Sequence, residues 1–180
     1  EFKLMGMAPY AHSDHAEVVY KHLIELMAFD KKNPLVWHRT GDCPETYFSY
    51  DFLRKLLELK RFDAICAGLQ RFTEEMLVTW VQNCVAHTGV KKIAVSGGVF
   101  MNVKVNQAIL ALPEVESLFV YPSCGDETNA MGAAYWTYAQ QSDVHTMKPL
   151  DGFYLGRSFE DEEILKVLEQ SEGIQWERVE

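Results

Sequence analysis

The sequence predicts an α/β fold organised around a parallel pair of strands. Two short apolar runs, at residues 93–95 and 118–121, are β-branched or aromatic and are bounded by turn residues, which is typical of strands. A glycine-containing turn and a helical pattern follow each run, and this order favours parallel pairing. Both turns are then expected at the carboxyl edge of the sheet, where open α/β sheets bind ligands.

The first turn, at residues 96–99, contains two adjacent glycines, Gly97 and Gly98. Glycine permits positive φ and close approach of a ligand, and the amides that open the next helix suit a phosphate or a ribose. Asn102 lies near the start of that helix, where its amide could donate to a sugar hydroxyl. A tight turn without a ligand explains the two glycines equally well, and this motif alone favours that simpler interpretation.

The second turn, at residues 122–130, is polar and leads into a helix of small residues, which would let the helix lie close to a strand or ligand. Asp126 is placed to be the N-cap of this helix. It is also a hard oxygen ligand that a metal beside a nucleotide phosphate would accept. Spacing favours the cap, and the two roles are compatible.

The remaining pattern predicts mostly helices before the strand pair. We expect a helix that follows Ser13 and Asp14, extends to residue 27 and opens with a capping box of Asp14 and Glu17. A short strand follows near residues 36–38, then a short helix over 51–59. A long helix over 62–87 has an apolar face stepping by three and four and is ended by Gly89.

Several polar and aromatic residues on these elements allow two interpretations. The aromatic residues Trp37, Tyr47, Phe48 and Tyr50 could stack on a substrate, but we expect them to cover the core. Gln70 and Glu74 or Glu75 could face a cleft, but we expect them in solvent. After residue 141 the composition changes and indicates a domain boundary. The tail then predicts a strand at 153–155, a helix capped by Ser158 and running to residue 170, and a strand at 174–176.

Composition excludes several classes of protein. A net charge of −9 over 180 residues argues against a nucleic-acid partner. No apolar run approaches membrane-spanning length and no signal peptide is seen, which argues against a membrane partner. Four cysteines without C-x-x-C spacing favour a reducing cytoplasm. The chain opens directly in a loop motif, so we expect it to be a piece that associates with the remainder of its parent chain.

Four stretches of the sequence resemble motifs of one family, both in their residues and in their order along the chain. EFKLMGMAPY, SGGVFMNVKVNQ, PSCGDETNAMGAAY and FYLGRSFEDEEI, spread over residues 1–164, are similar to the O-carbamoyltransferases that act on nodulation factors and antibiotics. The resemblance implies that residues 1–141 are part of one lobe of an actin/hexokinase-like ATPase fold, with a mixed sheet flanked by helices. Residues 142–180 would then be a linker and the start of a YrdC-like domain, a short α/β extension.

The resemblance also implies roles for individual residues. The positions that would bind the nucleotide are Lys3, Gly97, Gly98 and Asn102. Asp126 falls on an aspartate that completes a metal site with two histidines, which in the family lie upstream of this segment. No catalytic residue is assigned. The sequence departs from the family at Ala11 and Thr128, where glycine is usual, so the geometry of both loops is in question.

The implied activity uses ATP and a divalent metal, either iron or a magnesium-like ion. Carbamoyl phosphate and ATP would give a carbamoyl-adenylate, whose carbamoyl group passes to the hydroxyl of a small-molecule acceptor. We expect the 180-residue chain to be inactive by itself. One alternative is an enzyme like those of tRNA threonylcarbamoyl transfer, which the acidic charge disfavours. Another is a non-catalytic nucleotide-binding lobe, or a sugar-kinase-like lobe for which no catalytic base can be placed.

Overall fold

The structure is a computed structural model that describes residues 2–148, 152–154 and 156–178. The chain divides into two compact units, Glu1–Gln141 and Ser142–Glu180. The first unit is mixed α/β and contains helices and two small sheets. Its helices are α1 (Phe2–Met7), α2 (Ser13–Ile24), α3 (Ser49–Leu56), α4 (Phe62–Thr88), α5 (Val103–Leu110) and α6 (Thr128–Gln141), and its strands are β1 (Met27–Phe29), β2 (Trp37–Arg39), β3 (Lys92–Val95) and β4 (Ser117–Val120).

The predicted parallel pair is confirmed. β3 and β4 are parallel, with Ile93 opposite Leu118 and Val95 opposite Val120, and α5 lies between them in the chain. Because side chains alternate across a strand, these four residues share one face, and they pack against the larger core. That core takes its buried residues mainly from α4 and α5, with further ones beside them: Leu77, Val81, Val85, Phe100, Val105, Ile109, Val115 and Cys124.

A second core joins α2 to α4. Val19 and Leu23 of α2 are buried with Ala64 of α4. The two helices come so close at Gly68 that a Cβ there would lie 2.7 Å from Val19 Cβ and 2.8 Å from the backbone nitrogen of Tyr20. Small residues at a crossing point allow such an approach, so the position of α2 depends on residue 68 being a glycine, which has no side chain.

Polar contacts support the same helix pair. The Tyr20 hydroxyl donates to the carboxylate of Glu75, and the Arg71 guanidinium carbon lies 3.9 Å from the centre of the Tyr20 ring. Arg71 also pairs with Glu17. Tyr20 is only 8% exposed, so its hydroxyl needs this partner to remain hydrogen-bonded in the folded state.

Replacing Tyr20 by phenylalanine is expected to lower the free energy of unfolding by about 1 kcal/mol, because one largely buried hydrogen bond is lost. The bond to Glu75, with burial, raises the pKa of Tyr20 above its usual value of 10.0. The folded state therefore holds the phenolic proton more tightly than the unfolded state. This contribution is complete below about pH 10 and is lost as pH rises through the raised pKa.

Urea unfolding of the wild type and Tyr20→Phe at neutral pH and at about pH 11 measures both effects. The alkaline loss of stability should be smaller in the variant. Tyr138→Phe is the matched control, since Tyr138 is 50% exposed. Equal stability of Tyr20→Phe and the wild type at neutral pH would contradict the role given to the hydroxyl.

The helix that was predicted to extend to residue 27 ends earlier than expected. α2 ends at Ile24, and β1 pairs antiparallel with β2, with Phe29 opposite Trp37. Apolar residues continue across the boundary, so hydrophobic pattern alone does not separate helix from strand. The predicted capping box of Asp14 and Glu17 is also wrong, because the N-cap is His12, whose ring nitrogen accepts from the Asp14 amide at 3.4 Å.

The aromatic residues of the loop region divide into two groups. Trp37 covers the core as predicted, since its ring centre lies 4.9 Å from that of Trp80 and 5.8 Å from that of Phe29. The same prediction is wrong for Tyr47, Phe48 and Tyr50, all of which are largely exposed. They lie on and beside α3, which has no buried residue.

The long helix is confirmed, and the helix after the second turn differs from expectation. α4 ends at Thr88, and its C-cap residue Gly89 takes the left-handed conformation. In α6, the small residues Gly132, Ala133 and Ala134 are exposed, and no residue of the helix is buried. Within the described part of the chain, the small residues of α6 therefore do not serve close packing.

The second unit contains one α-helix among its described residues, α7 (Asp161–Gln170). Its cap is Glu160, which forms a capping box with Glu163, so the cap predicted at Ser158 is wrong. Residues 153, 154 and 174–176 are not strands, and Leu155 of the first predicted strand lies outside the described residues. Across the described ranges, no helix combines the length and apolar character needed to cross a membrane.

Candidate functional site

The glycine turn follows β3, and its backbone is unusual at one residue. Gly97 has φ 109° and ψ 152°, a region that side-chain-bearing residues avoid. A short 3-10 turn, Gly98–Met101, then precedes α5. The amides beside the glycines therefore belong to this turn, and not to the α-helix that was predicted to open there. A Cβ on either glycine would meet no atom within 4 Å, so the space above the turn is open.

The second turn lies against the first. The hydroxyl oxygens of Ser96 and Thr128 are 3.1 Å apart, and Thr128 donates to the Gly125 carbonyl at 2.8 Å. The Met101 methyl lies 3.0 Å from the position that a Cβ on Gly125 would take. Neighbouring parallel strands thus bring both turns to one edge of the sheet, as predicted.

The structure shows the local setting of both departures from the family pattern. The Thr128 hydroxyl ties the start of α6 to Gly125 and Ser96, and glycine would lose both bonds. Ala11 has φ −82° and ψ 145°, an extended conformation that any residue adopts.

Asp126 is exposed and is not the N-cap of the helix. α6 begins at Thr128, so Asp126 lies one position too early, and its backbone carbonyl accepts from the Asn129 amide at 3.1 Å. Glu127 is held by the Ser123 hydroxyl, and that bond lowers the pKa of Glu127. Asp126 uses its carboxylate in no hydrogen bond or ion pair within the described residues, which leaves it available to a ligand.

The metal expected at Asp126 finds only part of its ligand set here. Nowhere in residues 2–148, 152–154 and 156–178 do three histidine, cysteine or acidic side chains come together as a metal site requires. Within these residues, Asp126 is thus not part of a three-ligand metal site.

A small cavity lies where the opening segment meets the glycine turn. Its volume is about 110 Å³, and it is lined by residues of α1, α4 and the stretch from the 3-10 turn to the α5 N-cap: Leu4, Met5, Cys66, Leu69, Gln70, Thr73, Val99 and Asn102. Two stretches nearly a hundred residues apart in sequence are thus neighbours. Lys3 is exposed on α1 and does not line this cavity.

Asn102 is a buried polar residue with several partners. It is 6% exposed and is the N-cap of α5, with its Oδ1 accepting from the Val105 amide at 3.3 Å. Oδ1 also accepts from Gln70 Nε2 at 3.2 Å, and Nδ2 donates to Gln70 Oε1 at 2.8 Å. The prediction that Gln70 faces solvent is therefore wrong. In the sequence, Gln70 is distinguished only as a polar residue on the largely apolar α4, and this does not identify Asn102 as its partner.

Comparison with known proteins gives the family. A sequence model described as carbamoyltransferase N-terminus matches residues 1–135. The chain belongs to this carbamoyltransferase family. The match covers α1 to α5 and both turns, and therefore includes Lys3, Gly97, Gly98, Asn102 and Asp126.

Two of the matched relatives of this chain are nodulation proteins. It is 27% identical over 136 residues to nodulation protein NolNO of Sinorhizobium fredii, which is 74% of this chain and 19% of that protein. It is 24% identical over 164 residues to nodulation protein NolO of Bradyrhizobium diazoefficiens, 91% of this chain and 29% of that protein. An uncharacterized protein of Synechocystis is 26% identical over 186 residues, with the same coverage of 91% and 29%. The chain thus spans less than a third of the length of these relatives.

Proposed function

We propose that this chain is the part of an ATP-dependent O-carbamoyltransferase that helps to hold the nucleotide. The observation that carries the proposal is the family match over residues 1–135, which includes a glycine turn with open space above it. The wider activity is transfer of a carbamoyl group from carbamoyl phosphate, through a carbamoyl-adenylate, to an acceptor hydroxyl. The surrounding architecture would be one lobe of an actin-like ATPase fold, completed by chain beyond these residues.

Different residues of this chain would contact different groups of the nucleotide. Gly97 and Gly98 let a phosphate or ribose approach the backbone, because neither carries a side chain. Asn102 would donate to a nucleoside hydroxyl. The cavity of about 110 Å³ is below the roughly 300–1,000 Å³ of small-molecule pockets. The cavity would therefore hold one group of ATP. The remainder of the nucleotide would lie above the open turn, with Lys3 beside it.

Asp126 would act through charge. Its exposed carboxylate lies one residue after Gly125, which the Thr128 hydroxyl bonds. There it would bind a divalent metal directly or through a water molecule, and a bound metal would offset phosphate charge. Transfer to the acceptor would require further groups, since the metal ligands present here are incomplete.

We expect the chain to bind ATP saturably in the presence of Mg²⁺ and not to transfer a carbamoyl group by itself. Asp126→Asn should weaken Mg-ATP binding by about tenfold, as loss of one charge-assisted contact would. The matched control is Asp42→Asn, an exposed aspartate in a loop. Isothermal titration calorimetry with Mg-ATP measures both variants.

Three results would count against parts of the proposal. Absence of ATP binding by the wild type at millimolar nucleotide would remove the nucleotide role of this chain. Transfer of phosphate from ATP to a sugar, with release of ADP, would instead select the sugar-kinase alternative. Detectable carbamoyl transfer by the 180-residue chain would disprove the expectation that more chain is required.

A further inference from the structure

A line of polar side chains on α4 leads to Asn102. Gln70 Nε2 donates to the Glu74 carboxylate at 2.6 Å and to Asn102 Oδ1 at 3.2 Å. Asn102 Nδ2 returns a bond to Gln70 Oε1 at 2.8 Å. Gln70 and Asn102 thus form a reciprocal amide pair, which is held at one end by Glu74.

The two ends of this line independently select one orientation for both amides. An ionised carboxylate only accepts hydrogen bonds, so Glu74 requires the nitrogen of Gln70 to face it. A backbone amide only donates, so Val105 requires the oxygen of Asn102 to face it. Both requirements are met when Gln70 Nε2 faces Asn102 Oδ1, and a flip of either amide would break three bonds.

This orientation leaves one donor for the cavity. Asn102 Nδ2 carries two hydrogens, of which one is bonded to Gln70 Oε1. Within the part of the chain that the structure describes, the second has no acceptor. Asn102 lines the cavity between α1, α4 and the glycine turn and is 6% exposed, so its carboxamide cannot turn freely into solvent.

We propose that Gln70 is a positioning residue, which holds the Asn102 carboxamide so that its second N–H is presented to a nucleoside hydroxyl in the cavity. This inference rests on the proposed nucleotide-binding function. Gln70 acts through Asn102, with Glu74 fixing the direction of the Gln70 amide. Specificity would follow because the presented group is a donor, which selects a hydroxyl or carbonyl acceptor on the ligand.

Gln70→Ala should weaken binding of Mg-ATP by about fivefold, the effect of misplacing one hydrogen-bond donor. In an Asn102→Ser background, Gln70→Ala should cause almost no further loss of Mg-ATP affinity. Serine retains an N-cap oxygen but lacks the amide that Gln70 would position. Gln82→Ala is the matched control. Gln82 is also a half-buried glutamine of α4 that donates to a carboxylate, that of Glu114 at 2.9 Å, and it does not line the cavity.

A measurement without nucleotide separates this inference from the proposed function. In ¹⁵N-labelled protein, the side-chain N–H hydrogens of Asn102 should exchange with water about fivefold faster in Gln70→Ala than in the wild type. Their exchange rate should be unchanged in Gln82→Ala. Gln70→Met is a second variant that keeps the length of the side chain. It should likewise speed exchange, since a thioether is only a weak acceptor for the Asn102 Nδ2 hydrogen that Gln70 Oε1 holds in the wild type.

Each outcome bears on a different statement. Unchanged Asn102 exchange in both Gln70 variants would overturn the positioning role whether or not ATP binds. An equal loss of ATP affinity from Gln70→Ala in the wild type and in Asn102→Ser would also overturn it, because Gln70 would then act without Asn102. Faster exchange in a chain that does not bind ATP would support positioning and contradict the nucleotide function alone.

Discussion

Replacing Gly97 by alanine is expected to lower the free energy of unfolding by about 2 kcal/mol. Gly97 has φ 109° and ψ 152°, a conformation that is essentially restricted to glycine. An alanine must either accept this strain or change the turn after β3. Space is not the cause, since a Cβ at this position would meet no atom within 4 Å.

Gly98→Ala is the matched control for this prediction. Gly98 is the next residue in the same turn, and a Cβ added there would also meet no atom within 4 Å. Unlike Gly97, it does not have positive φ. Its change should stay within about 0.5 kcal/mol of the wild type. Urea unfolding followed by circular dichroism compares the three proteins. Similar losses in both variants would show that the backbone conformation of Gly97 is not the reason.

The nucleotide proposal adds a second expectation for the same pair. If ATP uses the backbone of this turn, Gly97→Ala should weaken Mg-ATP binding at a temperature where the variant remains folded. A variant that is destabilised but binds ATP with wild-type affinity would place the nucleotide away from Gly97, while leaving the argument about strain intact.

Replacing Gly68 by alanine is expected to cost about 2 kcal/mol, within the usual range for overpacking a core. The added methyl would lie 2.7 Å from two carbon atoms of Val19 and 2.8 Å from the Tyr20 backbone nitrogen. These atoms belong to the body of α2 and cannot move aside as the end of a long side chain can. α2 must therefore shift away from α4, which disturbs the contacts of Val19 and Leu23 with Ala64.

Gly132→Ala makes the same chemical change in an open site. Gly132 lies inside α6, and a Cβ there would meet nothing within 4 Å. Alanine should stabilise this helix by about 0.8 kcal/mol through its higher helix propensity. Thermal and urea unfolding should thus move in opposite directions for the two variants. A Gly68→Ala protein as stable as the wild type would mean that α2 and α4 can separate at little cost.

Local pattern predicted the regular elements well where burial follows a single period. The strands β3 and β4 are short apolar runs bounded by turns, their parallel pairing follows from the helical pattern between them, and the long α4 has clear apolar periodicity. The prediction failed where burial is set by distant partners. Residues 27–29 continue an apolar run and yet form β1, because they pair with β2 eight or more residues later. Tyr47 and Phe48 are aromatic and yet exposed.

Caps and turns were predicted less well, since several residues in a row can satisfy the same helix end. Asp14, Asp126 and Ser158 were each expected to cap or open a helix. The structure instead begins α2 after His12, α6 at Thr128 and α7 after Glu160. The choice among adjacent polar residues depends on backbone angles that the sequence does not specify.

The sequence by itself determined the α/β class, the two turns at one sheet edge and the family, because periodicity and contiguous motifs are local properties of the chain. Only the tertiary structure decided which polar side chains meet. Gln70 and Asn102 are 32 residues apart, and nothing in either neighbourhood indicates a pair. Their contact exists because α4 packs against α5, and packing decides which polar side chains of a helix are removed from water.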